Sequence, residues 1–408
     1  MSTLRIIVLI CTAQTLAQIG AFSVPALLPQ FINAWNLTNT QAGWITGIFY
    51  LAYVLSVPIL VALTDRVDPK RIYMFGVSVI TLAGFGYAWL ANDFWSALLF
   101  RALWGIGWAG TYMTGLKALS DFVEGPGQSR AVTAHAATIG VSGALSFVVA
   151  GTIAEWFGWR WGVGIGGVGA LAALVIMGLF LPARTPAPRE GEARALLDFR
   201  PVLRNRSAMA YSIGYCVHTL EMSALRNWVV AFLTFTAAYQ GLSESSLSAW
   251  LAPTVIASAM GLLGVWASVT GNEISIRFGR RRLILVVMLV GILVAAGVGF
   301  SAQVAYPLAA GLVLVYAILI WADSSSLTAG AAGSAAPGQR GATLAVHSAL
   351  GYGGGFFGPL TMGFVLDLTG GGTTPYSWGI AFMAVAAIMM IGPLAMLVLK
   401  PARLAGDK

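Results

Sequence analysis

Four ionisable side chains, Arg101, Glu221, Arg226 and Asp323, stand inside stretches that are otherwise apolar. A charge in hydrocarbon costs at least ~2.5 kcal/mol unless it is paired or wetted, so such residues mark routes for ions or polar solutes. His218 precedes Glu221 by three residues, which sets imidazole and carboxyl side by side on one helical face as a proton-titratable pair. Glu221 lies about fourteen residues into its apolar stretch, ~21 Å at 1.5 Å per residue, and Arg226 follows a turn and a half later. A guanidinium grips carboxylate through its planar fork, so Arg101 and Arg226 are candidates for holding an anionic group. The competing reading is a fixed ion pair that only ties two helices together.

Arg101 also begins a stripe through Trp104 and Trp108, spaced i, i+3, i+7, so one helix face carries a cation flanked by two indoles. That face suits a solute-binding wall; helix packing by the indoles, with the arginine reaching outward, is the alternative. Asp323 follows Trp321 and precedes Ser324, Ser325 and Ser326, a setting for a proton or a coupling cation, or for a solvated acid at a helix end. Gln14 with Gln18, and Tyr50 with Tyr53, give two further polar faces, either cavity lining or interhelical hydrogen bonding. His135 and His347 repeat one another, and packing or hydrogen bonding suits them better than ligation.

Several chemistries lack their residues. Gly162, Gly164 and Gly167 spell GxGxxG, but inside an apolar span with no preceding strand and no acid about twenty residues on, so nucleotide binding is not expected. No Walker loop and no helical zinc-ligand pair occurs, and no metal or cofactor is expected. Cys11 and Cys216 both sit in apolar spans and describe no disulfide framework. An enzyme is not expected, because no nucleophile or metal cluster is found.

The elements that must position these residues are membrane-spanning. The chain has 408 residues, of which 58% are hydrophobic and 9% charged, with a mean hydropathy of +0.81, values outside the range of a water-soluble domain. Apolar runs give twelve expected helices: Arg5–Phe31, Gln41–Leu63, Arg71–Ala91, Trp95–Leu119, Arg130–Ile153, Trp161–Leu181, Ser207–Thr236, Ser246–Ser268, Leu283–Ser301, Tyr306–Ala329, Gly341–Leu366 and Trp378–Leu399. Two copies of one unit are visible. DRVDPKR at Asp65–Arg71 echoes IRFGRRR at Ile276–Arg282, PGQSRAVTAH at Pro126–His135 echoes PGQRGATLAVH at Pro337–His347, and Glu155 answers Asp367. The expected organisation is a six-helix bundle over 1–181, a linker over 182–206 and a second six-helix bundle over 207–408.

Alternate loops hold nearly all Lys and Arg, while the other set holds essentially Arg160. By the positive-inside rule both termini are expected in the cytoplasm, and the net charge of +8 reads as topology, not nucleic-acid binding. A short amphipathic piece, ARALLDF, is a candidate for lying on the membrane surface within the linker. A bacterial inner membrane fits a chain with no long translocated loops.

The basic turns resemble those of the major facilitator superfamily, whose loop between helices 2 and 3 reads G-x-L-x-D-R-x-G-R-R and recurs weakly between helices 8 and 9. Here Asp65, Arg66 and Lys70 match the first copy, with Val61, Asp68 and Pro69 in place of two glycines and an arginine. Arg277, Gly279, Arg280 and Arg281 match the second, where Ile276 replaces the acid. Arg101, Gly105 and Gly107 match the family's R-x-x-x-G-x-G in helix 4, whereas the drug-antiporter Gly-Pro of helix 5 is absent between Gly140 and Gly151.

The resemblance implies an all-α fold of two six-helix bundles that rock about a central cavity lined by helices 1, 4, 7 and 10. It also implies a gating cluster of Asp65, Arg66, Lys70, Asp121 and Arg130, mirrored by Arg277, Arg280 and Arg281. The expectation is a monomeric transporter in the lipid bilayer. It moves a small organic anion by alternating access, using a proton or another coupling ion. A proton-coupled drug or metabolite efflux antiporter is the alternative. The expected substrate groups are Gln14, Gln18, Tyr50, Arg101, Trp104, Trp108, Arg226 and Trp321, and the expected proton groups are His218, Glu221 and Asp323.

Overall fold

The computed structural model describes residues 3–64, 66–123, 127–183, 199–242, 249–337 and 339–404, and among them only helices and short connections occur. Asp65, the side chain of Arg130 and most of the linker expected over 182–206, including the ARALLDF piece up to Asp198, lie outside the described residues. Two compact units form, Met1–Asn36 with Ile48–Glu190, and Leu37–Gly47 with Gly191–Lys408.

In the first unit the opening span is broken into α1 (Thr3–Gln18), α2 (Ser23–Ala26) and α3 (Leu28–Ala34). Helix α4 (Asn39–Leu63) contributes its residues from Ile48 onward, and α5 (Pro69–Leu90) follows. Then come the interrupted pair α6 (Phe94–Ala109) and α7 (Tyr112–Phe122), α8 (Gly127–Phe157) and α9 (Trp159–Phe180). Local chemistry sets the starts. Asp68 accepts from the Lys70 amide with Pro69 as the first helical residue of α5, and Asp93 forms a reciprocal capping box with Ser96 at α6. The GxGxxG run lies in α9, where the backbones of Gly84 and Gly167 touch, so these glycines serve close helix approach.

The second unit holds α10 (Arg200–Arg204), α11 (Arg206–Tyr239), α12 (Pro253–Phe278), α13 (Arg280–Phe300), the pair α14 (Tyr306–Ala322) and α15 (Ser324–Gly333), α16 (Arg340–Leu368), and the pair α17 (Pro375–Met389) and α18 (Ile391–Leu399). Helices α11 and α16 meet backbone to backbone: a Cβ on Gly354 would strike the Cys216 carbonyl, and one on Gly358 the Leu220 carbonyl. The Trp228 indole donates to the Pro359 carbonyl at 3.0 Å and closes the same seam.

Eleven of the twelve expected spans coincide, within a few residues, with one helix or one interrupted helix; the eighth, expected over Ser246–Ser268, starts outside the described residues and its helix α12 runs on from Pro253 to Phe278. Nine described helices are long and apolar enough to cross a bilayer. The other three depart for physical reasons: the first and fourth are broken, and α11 is diluted by His218, Glu221, Arg226 and Asn227. Large apolar side chains such as Leu55, Ile59, Leu82, Leu262, Val286 and Leu293 remain exposed, a surface only lipid can cover.

Candidate functional site

The second unit gathers a buried set of titratable groups around α11. Asp323 sits where α14 ends and α15 begins, and only 2% of it is exposed. It is not a solvated helix-terminal acid. The break turns its side chain onto α11, where Asp323 Oδ1 stands 2.9 Å from His218 Nδ1. Neither atom has an aligned hydrogen-bond partner among the described residues, so the contact is one of proximity.

One turn along α11, Glu221 is also buried and within electrostatic range of Asp323, with the Tyr316 hydroxyl of α14 beside its carboxyl. Gly291 of α13 leaves room for Glu221 Oε1, an atom without a hydrogen-bond partner among the described residues. Arg226 does not join this group. Its guanidinium lies over the Trp321 ring, 5.0 Å from the centroid, and that indole packs on Gly264 of α12.

The cluster extends to His347 of α16. The Tyr215 ring stacks on His347 at 4.1 Å and on His218 at 5.6 Å, with interplanar angles of 13° and 14°. His347 Nδ1 is 3.4 Å from Ser212 Oγ and its Nε2 3.2 Å from Thr328 Oγ1. A chain of polar and aromatic groups therefore runs from Thr328 through His347, Tyr215 and His218 to Asp323.

Among the described residues of the first unit Arg101 is the one buried guanidinium or ammonium group, and no acid lies beside it. Arg101 is 1% exposed; its Nη1 donates to the Ala21 carbonyl at 3.3 Å, an acceptor freed by the break between α1 and α2. Phe49 and Trp104 flank the guanidinium, with ring centroids at 4.6 and 5.8 Å. The hydroxyls of Tyr50 and Tyr87 are near enough to feel its charge, and these two hydroxyls and Arg101 Nε have no hydrogen-bond partner among the described residues. Cation–π contact offsets part of the burial cost, by about 0.5–2 kcal/mol per ring, but supplies no counter-charge.

The two indoles of the stripe separate. Trp104 wedges between Gly20 and Gly166, as helix packing, while Trp108 stacks on Phe49 at 4.7 Å and so builds the wall behind Arg101. Gln18 accepts from Ser142 Oγ at 3.1 Å, and the fully buried Gln14 amide has no partner among the described residues. His135, stacked on Tyr112 at 5.2 Å, lies near Gln14 across Gly115.

The basic turns are bound locally. Lys70 Nζ donates to the carbonyls of Gly178 and Leu181 at 2.9 and 2.5 Å, while Asp121 pairs with Lys117 at 2.5 Å. Arg66 is exposed. Arg280 donates to Asn272 Oδ1 and the Ser326 carbonyl at 3.1 and 3.2 Å, and Arg281 to the Met396 carbonyl at 3.1 Å. Arg277 is exposed at the end of α12.

Phe49, Tyr215 and Tyr316 belong to the two sites and escape a reading centred on charge. Helical spacing carries a signal for two of them: Tyr215 is three residues before His218, and Tyr316 is seven before Asp323. Phe49 is contributed by a different helix from Arg101, and its place behind the guanidinium has no sequence signal. Among the described residues no group of His, Cys, Asp and Glu is arranged to hold a metal ion.

Comparison with known proteins agrees with this architecture. The human protein spinster homolog 1 is 24% identical over 289 residues, covering 68% of this chain and 54% of that protein. Drosophila melanogaster protein spinster is 25% identical over 269 residues, covering 64% and 44%. The chain thus spans about half the length of the curated relatives it matches. Among solved structures, a bacterial homolog of the human lysosomal transporter Spinster, inward-facing and occupied, superposes with a TM-score of 0.74 at 16% identity, covering 97% of this chain and 94% of that one. The nucleoside transporter NupG superposes with a TM-score of 0.74 at 14% identity, covering 98% and 100%. The family model described as Major Facilitator Superfamily matches residues 10–359, and the chain belongs to that superfamily.

Proposed function

We propose that this protein is a secondary active transporter that moves a small organic anion by alternating access, with protons as the coupling ion. The observation that carries the reading is the division of charge between the units. The first buries a cation with unsaturated donor capacity, Arg101, and the second buries two carboxylates and an imidazole within reach of one another. A buried guanidinium with an open Nε in an aromatic wall accepts a carboxylate, which supplies the missing charge. Asp323, Glu221 and His218 are the proposed proton carriers, with the His218 imidazole 2.9 Å from the Asp323 carboxylate and Glu221 one turn along the same helix as His218.

Asp65, Arg66, Lys70, Asp121 and Arg130, with Arg277, Arg280 and Arg281, remain the proposed gating groups, and a monomer in the bacterial inner membrane with both termini cytoplasmic the proposed setting. That solved spinster-type and nucleoside transporters share the fold supports transport of a small solute and leaves its class to the binding groups. A second reading, efflux of cationic drugs or metabolites in exchange for protons, is favoured by the unpartnered Oε1 of Glu221.

Uptake into proteoliposomes, across a panel of carboxylates and of lipophilic cations under an imposed pH gradient, separates the two. Loss of carboxylate uptake in Arg101→Ala supports the anion reading. Carboxylate-independent, cation-driven proton flux that needs Glu221 supports the second.

A further inference from the structure

A basic cavity at one end of the second unit lies apart from the proposed solute- and proton-binding groups, although Arg277, Arg280 and Arg281, proposed above for gating, help to line it. It has a volume of 560 Å³ and is lined, among the described residues, by Arg277, Arg280, Arg281, Arg282, Arg403 and Tyr211, together with small and apolar neighbours and no acid. Five guanidinium groups around one space repel each other unless an anion joins them. Two are anchored: Arg280 by Asn272 and Ser326, Arg281 by the Met396 carbonyl. Arg277, Arg282 and Arg403 are exposed and make no hydrogen bond or ion pair with any described residue.

The backbone adds donors to the same space. Gly279, at φ +97°, turns the chain sharply between α12 and α13, a conformation a side chain would resist, and α13 starts without a side-chain cap. The first amides of α13 therefore point outward with the positive end of the helix dipole.

We propose that this cavity binds a phosphate-bearing anion, with the headgroup of an anionic membrane lipid as its occupant. The phosphate class follows from several forked donors converging with free helix amides on one space. The lipid source follows from position. The cavity is walled by the end of α12, the start of α13 and the residues just after α18, all ends of membrane-length helices, where headgroups reside. Its flanks are greasy: Phe278 is 69% exposed and Val398 62%. A headgroup in the cavity would lay its acyl chains on that surface, whereas free phosphate has no use for it.

The test is native mass spectrometry and thermal unfolding of the purified full-length protein with phosphatidylglycerol, diacylglycerol of the same chains, or inorganic phosphate. Phosphatidylglycerol should be retained and raise Tm, with diacylglycerol and phosphate doing neither. Stabilisation by inorganic phosphate to the same extent would keep the anion site and reject the lipid as its source. Neutralising Arg277, Arg282 and Arg403 together to Gln should weaken phosphatidylglycerol retention by about fivefold per arginine. Their replacement by Lys, which keeps the charge, should restore most of it. Equal retention of phosphatidylglycerol and diacylglycerol by the wild type, or undiminished retention by a folded triple Gln variant, would overturn the proposal. The wild-type comparison stands even if that variant does not fold.

Discussion

His218 and Asp323 face each other at 2.9 Å, Nδ1 to Oδ1, where the break between α14 and α15 meets the middle of α11. Discontinuous helices at membrane depth place polar backbone and a side chain where an unbroken helix would show only its apolar face, which is why such breaks mark ion and substrate sites. Removing Asp323 as a proton carrier while keeping its shape should uncouple transport. Asp323→Asn should lose uptake driven by a pH gradient while keeping solute exchange between equal pH compartments, measured as counterflow. Loss of both activities in a folded protein would instead mean that the pair only ties the helices together.

The Arg101 site predicts a difference between two cations. Lysine keeps the charge but not the fork or the flat face that stacks between Phe49 and Trp104. Arg101→Lys should raise KM for a carboxylate solute by about 10–100-fold, the equivalent of one charge-assisted hydrogen bond, with a smaller change in maximal rate. Initial-rate uptake in proteoliposomes reads both parameters.

The seam between α11 and α16 predicts a stability effect. Gly354 and Gly358 let the two backbones touch, so a methyl group must push the helices apart. Gly354→Ala should cost about 1–3 kcal/mol of stability, read as a lower Tm in detergent, whereas Gly353→Ala on the same helix, where a Cβ meets open space, should leave Tm unchanged.

Asp367 at the end of α16 caps α4 from a distance of more than three hundred residues in sequence. Its carboxylate accepts from the Asn39 and Thr40 amides at 2.9 and 2.8 Å, while Thr38 and Gln41 cap each other. The first turn of α4 thus has its donors satisfied by two independent devices. Asp367→Ala should cost about 1 kcal/mol, the usual worth of a lost cap, checked by thermal unfolding beside Glu155→Ala. Glu155, its counterpart in the repeat, is exposed, and its loss should be silent.

Most of the apolar spans were legible, and so was the burial of Arg101, Glu221 and Asp323, because hydropathy and the scarcity of charge leave little freedom in how such a chain meets lipid; Arg226 is only partly buried. The breaks in the helices were not. Nothing in the apolar run ending at Ala322 announces that Asp323 interrupts it, since a carboxylate and three serines suit a helix start and a helix interior alike. The partners of the charges were also hidden. Lys70 turned out to bond the Gly178 and Leu181 carbonyls, acceptors that carry no sequence signature because every residue has one. Trp104 and Trp108 share a helix face by spacing yet do different work, because Gly20 in the break after α1 and Gly166 of α9 draw one of them into packing.

The central claim is that the buried acids of the second unit carry protons while Arg101 holds the anion. Proteoliposomes loaded with a pH-sensitive dye and challenged with lactate, succinate and benzoate test it directly. At least one carboxylate should drive a proton flux that Arg101→Ala and Asp323→Asn each abolish. Solute entry without proton movement, or an undiminished proton flux in a folded Asp323→Asn, Glu221→Gln double variant, would contradict it.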